Sequence, residues 1–263
     1  MSPQGKPART ITNRKRERQM ITIALAAQLT VYAVMLLVGL AVVFADLSLL
    51  IAMTVLVLLA VAGCAVVLNF WPFGYRDETL NFSRLLASLA MVVAVLELER
   101  TGMLGEFNWL VHDGDIDMYG KRLILHWAAA IVVTLVLVLV ALFVRQMVRE
   151  PRTHLIMSLS TGLVASIVTL GGASWTFLPV AVSQSMRRSY GVWLLAALIV
   201  VMLISVASTV MWIQGAHWGN DPASMNSLDA IGQALGRGIA MAMMSGYATY
   251  VVAASTLAID ALL

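Results

Sequence analysis

Residues 123–144 read LILHWAAAIVVTLVLVLVALFV, with Arg122 before them and Arg145 after. They form an unbroken apolar run with no alternation of polar and apolar positions. About 20 apolar residues suffice for a helix to cross the hydrocarbon core of a bilayer. Backbone groups in lipid must bond within the segment, and a barrel strand would alternate, so the run predicts a membrane-spanning helix.

The same spacing of charges repeats outward in both directions. An ionised side chain costs roughly 2.5–3.5 kcal/mol at the centre of a spanning helix, so charges mark span ends. Uncharged stretches at 19–45, 47–75, 153–186, 189–220 and 238–259 are long enough to cross, whereas 85–96 falls short. The predicted spans are 21–44, 48–70, 83–102, 123–144, 155–183, 191–213 and 238–259. A turn at residues 45–47 predicts that the first two form an antiparallel hairpin.

Composition supports this. Of 263 residues, 60% are hydrophobic and 12% charged, and the mean hydropathy is +0.88. Soluble chains average about 45–50% apolar and about 25% charged, which excludes a globular soluble enzyme. Disorder is excluded as well, since it requires low hydropathy and high charge. The expected fold class is therefore all-α: a polytopic transmembrane bundle over residues 21–263, preceded by a basic tail at 1–20. The tail is followed by an apolar run too long for a signal peptide, so the first span is expected to remain as an anchor.

Lys and Arg predict orientation. Lys6, Arg9, Arg14, Lys15, Arg16 and Arg18 place the N-terminus in the cytoplasm of a cytoplasmic (inner) membrane. The tail is read as binding anionic lipid, with no nucleic-acid role. Beyond residue 155 the rule conflicts with seven spans, because Arg187 and Arg188 then fall outside. A re-entrant segment at 155–183, broken at Gly171, Gly172 and Pro179, gives six spans and removes the conflict. Seven is the preferred count.

Candidate sites follow from residues that sit awkwardly in lipid. The short third span draws Glu97, Glu99 and Arg100 towards the headgroups, and intramembrane ionisable groups suggest ion or substrate roles. His126, near the end of the fourth span, joins them as a candidate, although a hydrogen bond at a helix interface explains it as well. Asp113, Asp115 and Asp117 alternate like the opening of a calcium loop. Met118 and Ile124, however, stand where such a loop needs Gly and Glu, leaving at most a weak cation site. Gln28 is a lone amide in the first span, suited to a cross-helix hydrogen bond.

Small residues recur every four positions at Gly232, Gly236 and Ala240, and again at Gly238, Ala242 and Gly246. With Gly171 and Gly172 they offer close helix contacts, either within this bundle or with another chain. The lone Cys64 supplies no disulfide or CxxC motif. No histidine pair is placed to hold haem, no lysine lies within a span, and no phosphate loop or catalytic motif occurs. Neither a cofactor nor a resident metal is expected. Three functions are expected in descending order: a non-catalytic subunit or scaffold of a membrane complex, a small-solute or ion transporter or channel, and an enzyme acting on a lipid or quinone. The expected partners are the lipid bilayer and, through the glycine ridges, membrane subunits or a second copy.

Overall fold

A computed structural model describes residues 11–44, 49–73, 80–100, 118–148, 155–215 and 227–260. Nine α-helices account for nearly all of them, and no strand occurs among the described residues. They are α1 (Ile11–Phe44), α2 (Leu49–Phe70), α3 (Leu80–Arg100), α4 (Met118–Val148), α5 (Leu155–Ser174), α6 (Leu178–Arg187), α7 (Gly191–Gly215), α8 (Ser227–Met244) and α9 (Gly246–Asp260). A single 3-10 turn, Trp175–Phe177, joins α5 to α6. Seven helical segments are long and apolar enough to cross a membrane, with α5–α6 and α8–α9 each acting as one interrupted span.

The seven-span arrangement is the one formed, and the re-entrant alternative at 155–183 is not. Gly162 of α5 lies against Leu142, near the C-terminal end of α4, whereas Ser174 bonds Trp127 near its N-terminal end. Leu178 then reaches Gly39, at the far end of α1. The fifth span therefore runs the full depth of the bundle. Its break also falls elsewhere than the glycines suggested. Proline has no N–H and its ring opposes the carbonyl four residues back. Pro179 thus denies the Trp175 carbonyl its helical donor, and the Leu178 N–H bonds that carbonyl instead, tightening residues 175–177. Gly171 and Gly172 stay helical and serve close packing.

The last apolar helical segment starts earlier than the spacing of charges suggested. It begins at Leu228, ten residues before the expected start, and carries Asp229 and Arg237 within it. A charge marks a span end only if lipid surrounds it; Arg237 is enclosed by protein. Seven crossings also put Lys15, Arg16 and Arg18 at one end of the bundle and Arg187 and Arg188 at the other. Helix packing fixes that arrangement, and the charge conflict seen in the sequence persists.

The interrupted fifth span is the core. It is 83% buried over its apolar window, against 22% for the first, fourth and sixth spans. The remaining helices wrap it: α5 packs on α2, α3, α4 and α8, while α6 packs on α1, α7 and α9. Outer helices turn large apolar side chains outward, among them Val132, Val136 and Val140 on α4 and Ile199, Leu203 and Ile204 on α7. Such continuous exposed apolar surface is what lipid tails solvate.

Candidate functional site

Two interrupted spans meet halfway along their lengths. In α8–α9 the ladder weakens at Ser245, whose N–H reaches the Met241 carbonyl at 3.3 Å while the Ala248 N–H turns to the Ser245 carbonyl at 2.9 Å. Gly246 follows, lying so close to the Gly171 carbonyl that a side chain there has no room. Gly172 admits the Met243 side chain in the same way. Gly171, Gly172, Ala242 and Gly246 are thus brought to a single crossing.

Side chains hydrogen-bond main-chain carbonyls at and beside these breaks. The Trp175 indole donates to the Ala242 carbonyl at 3.0 Å, and Ser245 Oγ donates to the same oxygen at 2.7 Å. Thr249 Oγ1 reaches the Ser174 carbonyl at 2.7 Å, and Tyr247 reaches the Ile167 carbonyl at 2.9 Å. The Trp127 indole contacts Ser174 Oγ at 3.3 Å. Rings close the crossing: Phe177 lies 5.6 Å from Trp127 and 5.2 Å from Tyr250, and Trp175 lies 5.9 Å from Tyr32.

A polar track leads from the crossing towards the end of the bundle where α1 begins. Ser205 Oγ donates to the Met241 carbonyl at 3.1 Å and accepts from Gln28 Nε2 at 2.9 Å. The same amide nitrogen reaches the Tyr32 hydroxyl at 3.1 Å, and Thr209 donates to Gln28 Oε1 at 2.7 Å. The cross-helix role expected of Gln28 is therefore present, joining α1 to α7. Chemically, crossing and track supply hydroxyls, an amide and main-chain carbonyls. Groups of these kinds can replace water around a cation or hydrogen-bond a neutral solute.

Other sequence candidates lie apart. Glu97 is half-buried near the end of α3; Glu99 and Arg100 are on the same helix, with side chains outside the described set. His126 is exposed on α4, and its neighbour Trp127 takes the inward position. Asp113, Asp115 and Asp117 lie outside the described residues. Gly232 and Gly236 face Phe70 and Pro72 at the base of α8, and Gly238 presses on the Ala24 backbone. Every glycine of the proposed contact ridges is thus occupied by this chain's own helices. Between α2 and α3 a groove of about 410 Å³ opens on the outer surface, apolar apart from Cys64 and Ser88.

Sequence reading missed the crossing itself, although Pro179 and the Ser245–Gly246 pair were its visible signals. It also passed over Arg237, taken only as a span boundary. Scans against protein-family models, curated proteins and solved structures each return no match.

Proposed function

We propose that the chain is a small-solute or ion transporter whose path runs through the crossing of its fifth and seventh spans. The observation that carries this reading is the interruption of both spans at the same depth, with the carbonyls of Ser174 and Ala242 held by side chains. Irregular backbone at membrane depth occurs where protein buries it or where it lines a path, and broken helices are the usual construction of transporter sites. The uncharged oxygens of the crossing suit a monovalent cation or a neutral polar solute better than a dianion. The subunit reading drew its contact surface from the glycine ridges. With those filled internally, its surface has to come from outward apolar faces such as those of α4 and α7.

The test is flux in proteoliposomes, using sodium, potassium, protons and a panel of neutral amino acids and polyols. Expected is flux of at least one of these, reduced several-fold by Trp175→Phe, which keeps an aromatic ring but removes the indole donor and leaves the Ala242 carbonyl to Ser245 alone. Absence of flux across the panel, or flux indifferent to both Trp175→Phe and Thr249→Val, overturns the reading.

A further inference from the structure

Arg237 holds a guanidinium inside the bundle, at the end where α2 and α7 finish and α3 begins. The residue is only 8% exposed. Its Nε–H donates to the Pro72 carbonyl at 3.2 Å, and its charge sits 5.9 Å from the Trp212 ring. A row of rings continues from there: Phe73 stacks 6.0 Å from Trp212, and Trp71 meets Phe73 edge-on at 5.2 Å. Arg84 closes the far end, 5.7 Å from Trp71, with a hydrogen bond to the Asn69 carbonyl.

A guanidinium carries five N–H donors in a planar fork. Nε accounts for one. The four on the terminal nitrogens have no hydrogen-bond or ion-pair partner among the described residues, and these nitrogens are not sealed in, so the fork opens to the surface that those residues leave. Of the acidic side chains on its own helix, Asp229 lies two turns away and is exposed. Partial enclosure of a cation carries a desolvation cost that pairing and hydrogen bonds offset. One carbonyl and one ring face supply only part of that. The fold holds the fork rigidly all the same: Gly236 and Gly238 flank it on α8, and their lack of side chains lets the helix close on Pro72 and Ala24.

We infer that Arg237 is the anchor of a phosphate-binding site at this end of the bundle. The two terminal nitrogens of an arginine match two oxygens of a phosphate group, a geometry that lysine cannot reproduce. The indole of Trp212 forms an apolar wall beside the fork, and the site lies level with the ends of two spans, where headgroup phosphates also lie. The ligand chemistry is a phosphate group, carried either by a phospholipid or by a soluble ion. The site is separate from the crossing and stands whether or not the chain moves a solute.

The experiment measures thermal unfolding of the purified full chain in maltoside micelles by tryptophan fluorescence. Inorganic phosphate is titrated in one arm, phosphatidylglycerol in mixed micelles in a second, and diacylglycerol, which lacks phosphate, in a third. Wild-type protein is expected to be stabilised saturably in at least one of the first two arms and not in the third. Stabilisation by phosphate assigns a soluble ion; stabilisation by phosphatidylglycerol alone assigns a lipid headgroup. Arg237→Lys, which keeps the charge but loses the fork, is expected to weaken the apparent affinity at least tenfold, with Arg237→Gln weaker still. The inference is overturned if neither phosphate probe stabilises the wild-type protein, if diacylglycerol stabilises it equally, or if Arg237→Lys binds as the wild type does. Where both variants fail to fold, Trp212→Leu, which removes the wall beside the fork, stands in for them: weakened phosphate affinity is expected, and wild-type affinity overturns the inference.

Discussion

Replacing Gly238 with alanine tests one of the closest approaches between two helices. The added methyl group meets the Ala24 carbonyl oxygen and lies 2.8 Å from the Ala24 carbonyl carbon and 3.0 Å from its Cα. Carbon atoms rest at about 3.5–4.0 Å, so α1 and α8 must separate by about 1 Å. Both sides of this contact are backbone, and no rotamer change relieves it. Overpacking of this kind costs about 1–3 kcal/mol, with a rigid contact at the upper end. Alanine recovers about 1 kcal/mol of helix propensity. The separation also stretches the Gln28–Ser205–Met241 chain, whose links span 2.9 and 3.1 Å. Each such bond within a membrane protein contributes about 0.6 kcal/mol. The net expectation is a loss of about 2–3 kcal/mol, read by reversible unfolding in detergent titrated with dodecyl sulfate.

Gly63→Ala is the control. Its methyl group meets the Met243 sulfur at 3.2 Å and Ile239 Cγ2 at 3.6 Å, both on side chains able to shift. A change within about 1 kcal/mol is expected there. If Gly238→Ala proves as stable as Gly63→Ala, the close approach of α1 and α8 is wrong. The glycine ridge would then be free to meet another chain.

Further expectations follow from the same contacts. Tags placed beyond residues 11 and 260 are expected on opposite sides of the membrane, checked by protease protection in oriented vesicles; protection of both or neither refutes seven crossings. Gln28→Leu removes three hydrogen bonds and is expected to cost about 1–2 kcal/mol in the same unfolding assay, with no measurable loss counting against the α1–α7 link. Trp71 lies at φ 41 and is almost wholly buried. Trp71→Gly relieves about 1–2 kcal/mol of left-handed strain but loses a ring whose burial contributes about 3–5 kcal/mol. A net loss is expected, and a more stable variant would show that the ring is not packed as described.

The two interrupted spans show where sequence reading reaches its limit. Gly171, Gly172 and Pro179 were all expected to break the span, and only the proline does so, because glycine is compatible with both a kink and a close contact. Only the neighbouring Met243 and Gly246 decide for the contact. His126 and Trp127 are adjacent and both fit an interface by type, but rotation of α4 within the bundle sends Trp127 inward. Arg237 shows another limit: the spacing of charges marks it as a boundary but does not reveal that protein encloses it.

Membrane residence and the positions of the long spans were determined by the sequence alone. They depend on the solvent each stretch prefers, a property summed locally along about 20 residues. The passage of 155–187 through the bundle, the crossing at Trp175 and Ser245, and the enclosure of Arg237 were decided by tertiary structure. Those depend on which residues meet across long separations, such as the 181 positions between Thr209 and Gln28. In lipid, where leucine gains little by leaving one apolar surrounding for another, shape and hydrogen bonding choose those meetings, and neither is written in the hydropathy of a single segment.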